Sequence, residues 1–151
     1  MDATLVVTAL VLAGVGWALL RGRGAPSQES EVGTLAGPGT FEVEVVGESH
    51  YQDALAKICG GRSEDGAEKY CRATLVLDNS NAYDPKAVRV DVDGATVGYL
   101  SREAARVYRH RLKEAGHPRL LGTCNAVIRG GWDRGNGDTG NFGIRLDLPT
   151  T

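Results

Sequence analysis

The chain has 151 residues and a formal net charge of −2, which leaves room for one domain of ordinary size and a short extra segment. This balance excludes a generally basic protein that coats nucleic acids, but the charge is uneven. Residues 41–98 carry six basic against eleven acidic residues, whereas residues 99–151 carry nine against five. Such a division is compatible with one basic face on an otherwise acidic body.

The cysteines and histidines do not form a metal-binding pattern. Three cysteines are widely spaced, no C-x-x-C pair occurs, and the three histidines are scattered. This argues against a structural zinc site. We interpret the cysteines as reduced, mostly packed thiols in a reducing compartment, and we expect neither a metal nor a cofactor.

The stretch from Ala3 to Leu20 holds 18 residues and no charge. As a helix it would reach roughly 27 Å, just enough for a hydrocarbon core of about 30 Å. Trp17 lies near one end, and Arg21 and Arg23 follow the apolar run, whereas a secretory signal carries its positive charge before it. We therefore predict a single-pass transmembrane anchor over residues 1–21, with the following chain in the cytoplasm. A cleaved signal peptide is the alternative.

Residues 22–40 are rich in Gly, Pro, Ser and Glu and show neither helical nor strand periodicity. This composition predicts a flexible linker. Such a linker would let the folded part move near a membrane without fixing its orientation. The folded domain is accordingly expected over residues 41–151.

The rest of the chain alternates between strand and helix patterns. The predicted strands are Phe41–Val46, Arg72–Leu77, Ala87–Val92, Ala95–Leu100, Leu120–Ile128 and Phe142–Leu148. A helix over His50–Cys59 ends at a glycine pair, and a second helix begins after Ser101, which can cap it, and runs to about Ala115. Asp93 and Gly94 form a two-residue hairpin signal between the third and fourth strands.

Six short strands with two inserted helices indicate the α+β class. We predict a small six-stranded antiparallel β-barrel, OB-like or SH3-like, because a closed sheet leaves no long open edge. The predicted transmembrane helix precedes this barrel.

Four segments of the sequence match, in order and spacing, the segments of a known domain family. They are VVGESHYQ (Val45–Gln52), LVLDNSNAYDPKAVRVDV (Leu75–Val92), VGYLSREAA (Val97–Ala105) and, more loosely, GNFGIRLDL near the C-terminus. The order resembles the HIRAN domain, which occurs in eukaryotic DNA-repair translocases and as short stand-alone bacterial proteins. The N-x-Y-D-x-x-A-V/I-x-V pattern followed by V-G-Y/H-L is its most specific part. The resemblance covers about residues 41–148.

The resemblance implies a modified OB-like barrel that holds the 3′ end of single-stranded DNA. It assigns Asp84 to the terminal 3′-hydroxyl and Tyr83 to stacking on the last bases. It also assigns Asn81 to a hydrogen bond with the DNA backbone or a base. Phe142 matches, loosely, an aromatic residue placed against the terminal nucleotide.

Two further pieces bear on the implied DNA surface. Tyr99 and Arg102 look similar to family positions that contact phosphates. Eukaryotic family members carry an arginine followed by a tyrosine where this chain has Ser49 and His50. A phosphate-binding cation and the main stacking ring are thus replaced, although His50 can still stack and Tyr51 is adjacent.

The chemistry of the turn fits this assignment, and a structural role is the alternative. A carboxylate such as Asp84 accepts a hydrogen bond from a hydroxyl and repels a terminal phosphate, so it would select a 3′-OH end. A tyrosine ring such as that of Tyr83 stacks on any base. Alternatively, Asn81 and Asp84 cap the turn through its own backbone while Tyr83 covers the end of the barrel.

The second helix carries a repeated basic pattern. Arg102, Arg106 and Arg109 recur at helical spacing, can share one face and suit a track for phosphates. A solvated helix face is the alternative, and contact with anionic lipid head groups is another.

Enzymatic activity is not expected. The sequence has no G-x-x-x-x-G-K-[ST] phosphate loop and no Cys-His or Ser-His pairing at readable spacing. We predict a membrane-tethered, non-catalytic module that binds single-stranded DNA at its 3′-OH end. The alternative is a membrane-anchored protein-interaction module on the same barrel.

Overall fold

The computed structural model describes residues 7–9 and 30–149. Within these residues the strands are β1 Val7–Ala9, β2 Val32–Leu35, β3 Val43–Val46, β4 Ala67–Asp78, β5 Ala87–Val92, β6 Ala95–Leu100, β7 Leu121–Gly130 and β8 Phe142–Asp147. The α-helices are α1 Gln52–Ile58 and α2 Arg102–Glu114, and a 3-10 turn at Glu48–His50 precedes α1.

Six strands close into an antiparallel barrel. Their order is β7-β4-β5-β6-β3-β8, and β8 pairs back with β7 to complete the circle. The longest ladder joins β4 to β7, from Ala67 opposite Gly130 to Leu75 opposite Gly122. The predicted six-stranded antiparallel barrel with two helices is confirmed, and the bounds of β5 and β6 are those predicted from the alternation.

The core of the barrel comes from the inward-facing positions of each strand. In β5 these are Val88, Val90 and Val92, all fully or nearly fully buried. The helix α2 packs its apolar face toward the same core. Its buried residues are Ala105, Tyr108 and Leu112. The predicted cap of α2 is confirmed, because the Ser101 side chain accepts a hydrogen bond from the backbone N–H of Ala104 at 3.1 Å.

Side chains complete the barrel where one ladder is short. Strands β3 and β8 share only the pairs Val43–Leu146 and Glu44–Arg145. Beyond them, the Gln52 amide donates to the Phe142 carbonyl at 2.9 Å and accepts from the Phe142 N–H at 2.8 Å. A Glu48 carboxylate oxygen accepts from the N–H of Ile144 at 3.0 Å. These two side chains replace the missing strand partner, and we call this stretch the seam.

The linker prediction is wrong for four of its residues. Val32–Leu35 form β2, which pairs in parallel with the start of β7, with Val32 opposite Leu121. Leu35 is buried in the core. A strand of four residues around a glycine is too short to show periodicity, and a tertiary partner, the start of β7, stabilises it. Residues 22–29 of the predicted linker lie outside the described residues.

The predicted membrane anchor over residues 1–21 also lies outside the described residues, except for Val7–Ala9. These three form β1, which pairs antiparallel with β2 and places Val7 opposite Leu35. Across residues 7–9 and 30–149, no helix combines the length and the apolar character needed to cross a membrane.

Strand β4 is longer than predicted. It begins at Ala67 rather than at Arg72, because its ladder with β7 continues to Gly130. The added part contains exposed residues such as Glu68 and Tyr70, so the apolar alternation that marks a half-buried strand is missing there.

Candidate nucleic-acid interface

The loop between β4 and β5 is organised by one amide side chain. The Asn81 Oδ1 accepts the backbone N–H groups of Tyr83 at 2.9 Å and Asp84 at 3.0 Å. Its Nδ2 donates to an oxygen of Asp78 at 3.2 Å. Asn81 therefore takes the capping role that was the alternative to DNA contact, since its carbonyl oxygen already serves two amides.

Tyr83 projects from this loop into solvent. Its side chain is 89% exposed, the largest exposed fraction among the exposed large apolar residues. The backbone of Tyr83 is held, because its carbonyl oxygen accepts from Nη2 of Arg102 at 3.4 Å. An exposed ring on a tethered backbone is available for stacking, and it does not cover the end of the barrel.

Asp84 is buried beside Tyr83 and already has partners. One carboxylate oxygen accepts from the N–H of Lys86 at 3.0 Å, and the other accepts from Nη1 of Arg106 at 3.1 Å. The backbone hydrogen bond from Lys86 and the hydrogen bond from Arg106 hold the pKa of Asp84 below its usual value. Asp84 is therefore ionised at neutral pH and is not an isolated acid.

The three arginines of α2 contact the loop. Arg102 reaches the Tyr83 carbonyl and Arg106 reaches Asp84, as described above. Arg109 donates to Oδ1 of Asn79 at 2.8 Å and to the carbonyl of Ala87 at 2.7 Å. The helical spacing thus forms one face, as predicted, and the three arginines of this face also hold the loop between β4 and β5.

A second group of side chains continues the surface across β6. The Tyr99 hydroxyl donates to the same Asp78 oxygen at 3.3 Å. Burial raises the pKa of Tyr99, and the neighbouring Tyr51 and Asp78 add to the effect. His50 is exposed directly before Tyr51. Tyr99 is therefore joined to the loop through Asp78, and Tyr51 adjoins Tyr99.

These residues form one continuous chain of contacts, which we call the turn site. Its members are Tyr51, Asp78, Asn81, Tyr83, Asp84, Tyr99, Arg102 and Arg106. Every residue that the sequence assigned to DNA binding belongs to it, apart from two. His50 is adjacent to it in sequence, and Phe142 lies elsewhere.

The structure corrects the expectation for Phe142. Its ring is only 2% exposed and fills the core at the start of β8. The guanidinium of Arg62 lies 5.1 Å from the ring centre, and a side chain at Gly131 would collide with the ring. A nucleotide at the surface cannot stack on this ring. Phe142 occupies an inward position of its strand, which alternation places in the core.

Sequence analysis did not assign two residues that lie on this surface. Asp78 holds both Asn81 and Tyr99, and an acid at the end of a strand directly before an N-x-Y-D turn was the available signal. Arg89 faces outward opposite Tyr99, and its guanidinium pairs with Asp91 at 2.9 Å. The alternation of AVRVDV placed Arg89 on the outer face, so this residue was also predictable.

The cysteines do not provide a reactive thiolate. Burial raises the pKa of Cys71 to about 11 and that of Cys124 to about 12. Burial also raises the pKa of Cys59. At neutral pH all three thiols are protonated, and a protonated thiol is a poor nucleophile.

The structure is thus a closed barrel that carries a polar surface loop with an exposed aromatic ring. The family model of the HIRAN domain matches residues 38–129, more than half of the chain. The chain belongs to the HIRAN domain family, which confirms the resemblance found in the sequence. Comparison with the curated proteins and with the solved structures gave no match. Family membership indicates nucleic-acid binding, and the HIRAN domain is a binding domain that is generally non-catalytic.

Proposed function

We propose that this HIRAN protein binds single-stranded DNA at its 3′ end through the turn site. The observation that carries the proposal is the exposure of Tyr83 beside Asp84 on a loop that α2 holds in place. Stacking of a base on an exposed aromatic ring contributes about 1–3 kcal/mol and tolerates any base. The fixed loop adds to this because a preorganised site loses little conformational entropy on binding.

Each part of the turn site has a separate role in this proposal. Tyr83 stacks on the last base, and Asp84 accepts a hydrogen bond from the terminal hydroxyl. His50 and Tyr51 offer rings to the preceding base in place of the tyrosine found in other family members. Tyr99 and Arg102 contact the phosphates that follow. Asn81 holds the loop in shape and does not contact DNA through its carbonyl oxygen.

The proposal is tested by fluorescence anisotropy with the full chain and internally labelled single-stranded DNA. Linear DNA is expected to bind more tightly than a circle of the same composition, because only the linear form has a 3′ end. Tyr83→Ala should weaken binding to linear DNA by about 5- to 100-fold. Tyr70→Ala is the matched control, since Tyr70 is 58% exposed on the far part of β4.

Equal affinity for the circle and the linear strand would exclude end binding. Equal losses for Tyr83→Ala and Tyr70→Ala would exclude the turn site as the binding surface. A duplex with blunt ends provides a third comparison and should bind more weakly, because its terminal bases are paired and stacked.

The competing function is a protein-interaction module on the same barrel. The observation in its favour is an apolar groove of about 300 Å³ between α2 and the ends of β2, β3 and β8. Leu35, Val43 and Leu148 line it, and Val107 at its edge is 45% exposed. A folded chain that binds no DNA at low salt would favour this second function.

Membrane attachment is a further proposal that rests on the sequence. The uncharged run from Ala3 to Leu20 followed by Arg21 supports an anchor with the barrel in the cytoplasm. The pairing of Val7–Ala9 with β2 supports a different arrangement, in which this part of the chain joins the sheet. Fractionation of cells that express the full chain decides between them. Release of the protein into the soluble fraction by salt or alkaline carbonate would exclude an integral anchor.

A further inference from the structure

The ion pair between Asp84 and Arg106 leaves little of the acid accessible. The Asp84 side chain is 11% exposed, whereas that of Arg106 is 47% exposed. Two hydrogen bonds join the pair: Nη1 donates to Oδ2 at 3.1 Å, and Nη2 donates to Oδ1 at 3.4 Å. A group that approaches from solvent therefore meets the cation over a larger area than the anion.

The hydrogen-bond positions of Asp84 are only partly occupied. A carboxylate has about four lone-pair positions. Oδ1 accepts from Lys86 and from Nη2 of Arg106, and Oδ2 accepts from Nη1 of Arg106. Oδ2 therefore keeps one position, which is enough for a single hydroxyl donor.

Arg106 keeps a pair of free donors. Its Nη1 donates to Asp84 and to the carbonyl of Arg102 at 3.1 Å, and its Nη2 donates once, to Asp84. Within residues 7–9 and 30–149, the Nε–H and the second Nη2–H make no hydrogen bond. These two N–H groups lie side by side on one edge of the guanidinium. This edge binds two oxygens of one phosphate in the bidentate manner that arginine favours.

The net charge of the pair also permits a phosphate to bind. An isolated carboxylate repels a terminal phosphate, but Asp84 with Arg106 is neutral as a unit. Arg102 lies one helical turn away on the same face and adds a positive charge. The charge at the turn site therefore does not oppose a phosphate at the DNA end.

We propose that the Asp84–Arg106 pair accepts a 3′ end that terminates in either a hydroxyl or a phosphate, and that Arg106 is the residue that determines this tolerance. This inference rests on the proposed binding of 3′ ends. The hydroxyl donates to the remaining position on Oδ2 of Asp84. The phosphate accepts from the free Nε–Nη2 edge of Arg106. The expectation from Asp84 alone, selection against a 3′-phosphate, is thereby reversed.

The test measures the fluorescence anisotropy of three internally labelled oligothymidylates as the full chain is added. One carries a 3′-hydroxyl, one carries a 3′-phosphate and one is circular. The wild-type protein is expected to bind both linear forms within about threefold of each other and the circle more weakly. Arg106→Gln should weaken binding of the 3′-phosphate form by about tenfold or more, because the neighbouring Asp84 is then uncompensated. Binding of the 3′-hydroxyl form should fall by a smaller factor, so that the ratio of the two affinities changes from that of the wild type.

Two further variants control for loss of folding. Arg129→Gln removes an arginine that pairs with Glu68 away from the turn site, and it should leave the ratio of the two affinities unchanged. Asp84→Asn removes the acid but keeps Arg106, and it should weaken binding of the 3′-hydroxyl form more than binding of the 3′-phosphate form. Circular dichroism of each variant checks that the barrel is intact.

The outcomes separate this inference from the proposed function. Wild-type binding that favours the hydroxyl form by more than about tenfold overturns the tolerance and leaves 3′-end binding supported. An Arg106→Gln protein that is folded and keeps equal affinity for both linear forms also overturns it. If neither linear form binds better than the circle, the proposed function and this inference both fail.

Discussion

At the scale of single residues, Asn81 shows how a short polar side chain fixes a functional loop. Its amide accepts two successive backbone N–H groups and donates to Asp78. These bonds place Tyr83 in solvent and turn Asp84 toward α2. The exposure of Tyr83 is therefore a consequence of Asn81 as much as of the tyrosine itself.

We expect Asn81→Ala to lower the free energy of unfolding by about 1–2 kcal/mol, because two amides of the loop lose their acceptor. Urea unfolding of the full chain measures this change. Ser80→Ala is the control in the same loop; Ser80 is exposed, and its substitution should change stability by less than about 0.5 kcal/mol. A loss for Asn81→Ala no larger than that of the control would contradict the capping role.

The sequence predicted the positions of some turn-site residues but not all of their contacts. The N-x-Y-D pattern located Tyr83 and Asp84, and its polar residues predicted a turn. The partner of Asp84 was not predicted, because Arg106 is 22 positions away and approaches only when α2 packs on the barrel. Phe142 was assigned to the surface by its loose match to the family, although strand alternation places it in the core.

At the scale of elements, α2 has two functional faces. Its apolar face packs on the barrel through Tyr108 and Leu112, and its arginine face holds the loop between β4 and β5. The helical spacing of the arginines predicted the second face but not its contact. The helical spacing predicts which side chains lie on one face of a helix. Which residues that face contacts depends on the angle at which the helix packs on the barrel.

The seam is the other element-scale feature with a testable consequence. Glu48 and Gln52 supply hydrogen bonds where β3 and β8 no longer pair. Burial raises the pKa of Glu48, and this effect exceeds the lowering by its hydrogen bond from Ile144. The folded protein therefore binds the proton of Glu48 more tightly than the unfolded chain does.

The contribution of Glu48 to the free energy of unfolding should decrease as the pH rises. The loss begins near the ordinary value of about 4.5 and is complete above the raised pKa of the folded protein. Glu48→Gln keeps an acceptor for Ile144 without the charge. Relative to wild type, we expect its melting temperature to be higher at pH 7 than at pH 4, by roughly 1–3 °C.

Thermal unfolding by circular dichroism at both pH values measures this difference. Glu42→Gln, which removes an exposed carboxylate from the segment before β3, is the control and should show a smaller change. A melting temperature of Glu48→Gln that falls relative to wild type between pH 4 and pH 7 would contradict the assignment of burial as the dominant effect.

At the scale of the whole molecule, barrel closure brings three distant pieces of the chain to one surface. The loop after β4 contacts the end of β6 through Asp78 and Tyr99 and the start of α2 through Arg102. Tyr51, before α1, adjoins Tyr99. The surface is small and carries few cations that are exposed. Its binding of DNA should therefore depend on a few phosphates together with stacking.

We expect the logarithm of the association constant to fall with the logarithm of salt concentration at a slope of about −1.5 to −3, as for two to four phosphate contacts on single strands. For the 3′-phosphate form, Arg106→Gln should make this slope shallower by about 0.7 because one phosphate contact is lost, and Arg129→Gln should leave it unchanged. Anisotropy titrations between 25 and 300 mM salt measure the slopes, a range over which charge screening changes strongly. A slope steeper than about −6 would show that a much larger basic face binds DNA.

The sequence by itself determined the six strands of the barrel, the two helices, the N-x-Y-D turn and the family, because periodicity and turn chemistry depend on neighbours within a few residues. Only the tertiary structure decided that Asp84 is paired, that Val32–Leu35 form a strand and that Gln52 closes the seam. Gln52 and Phe142 are 90 positions apart, and Asp84 and Arg106 are 22 apart. Contacts of this kind exist only after the barrel closes, so no local pattern encodes them.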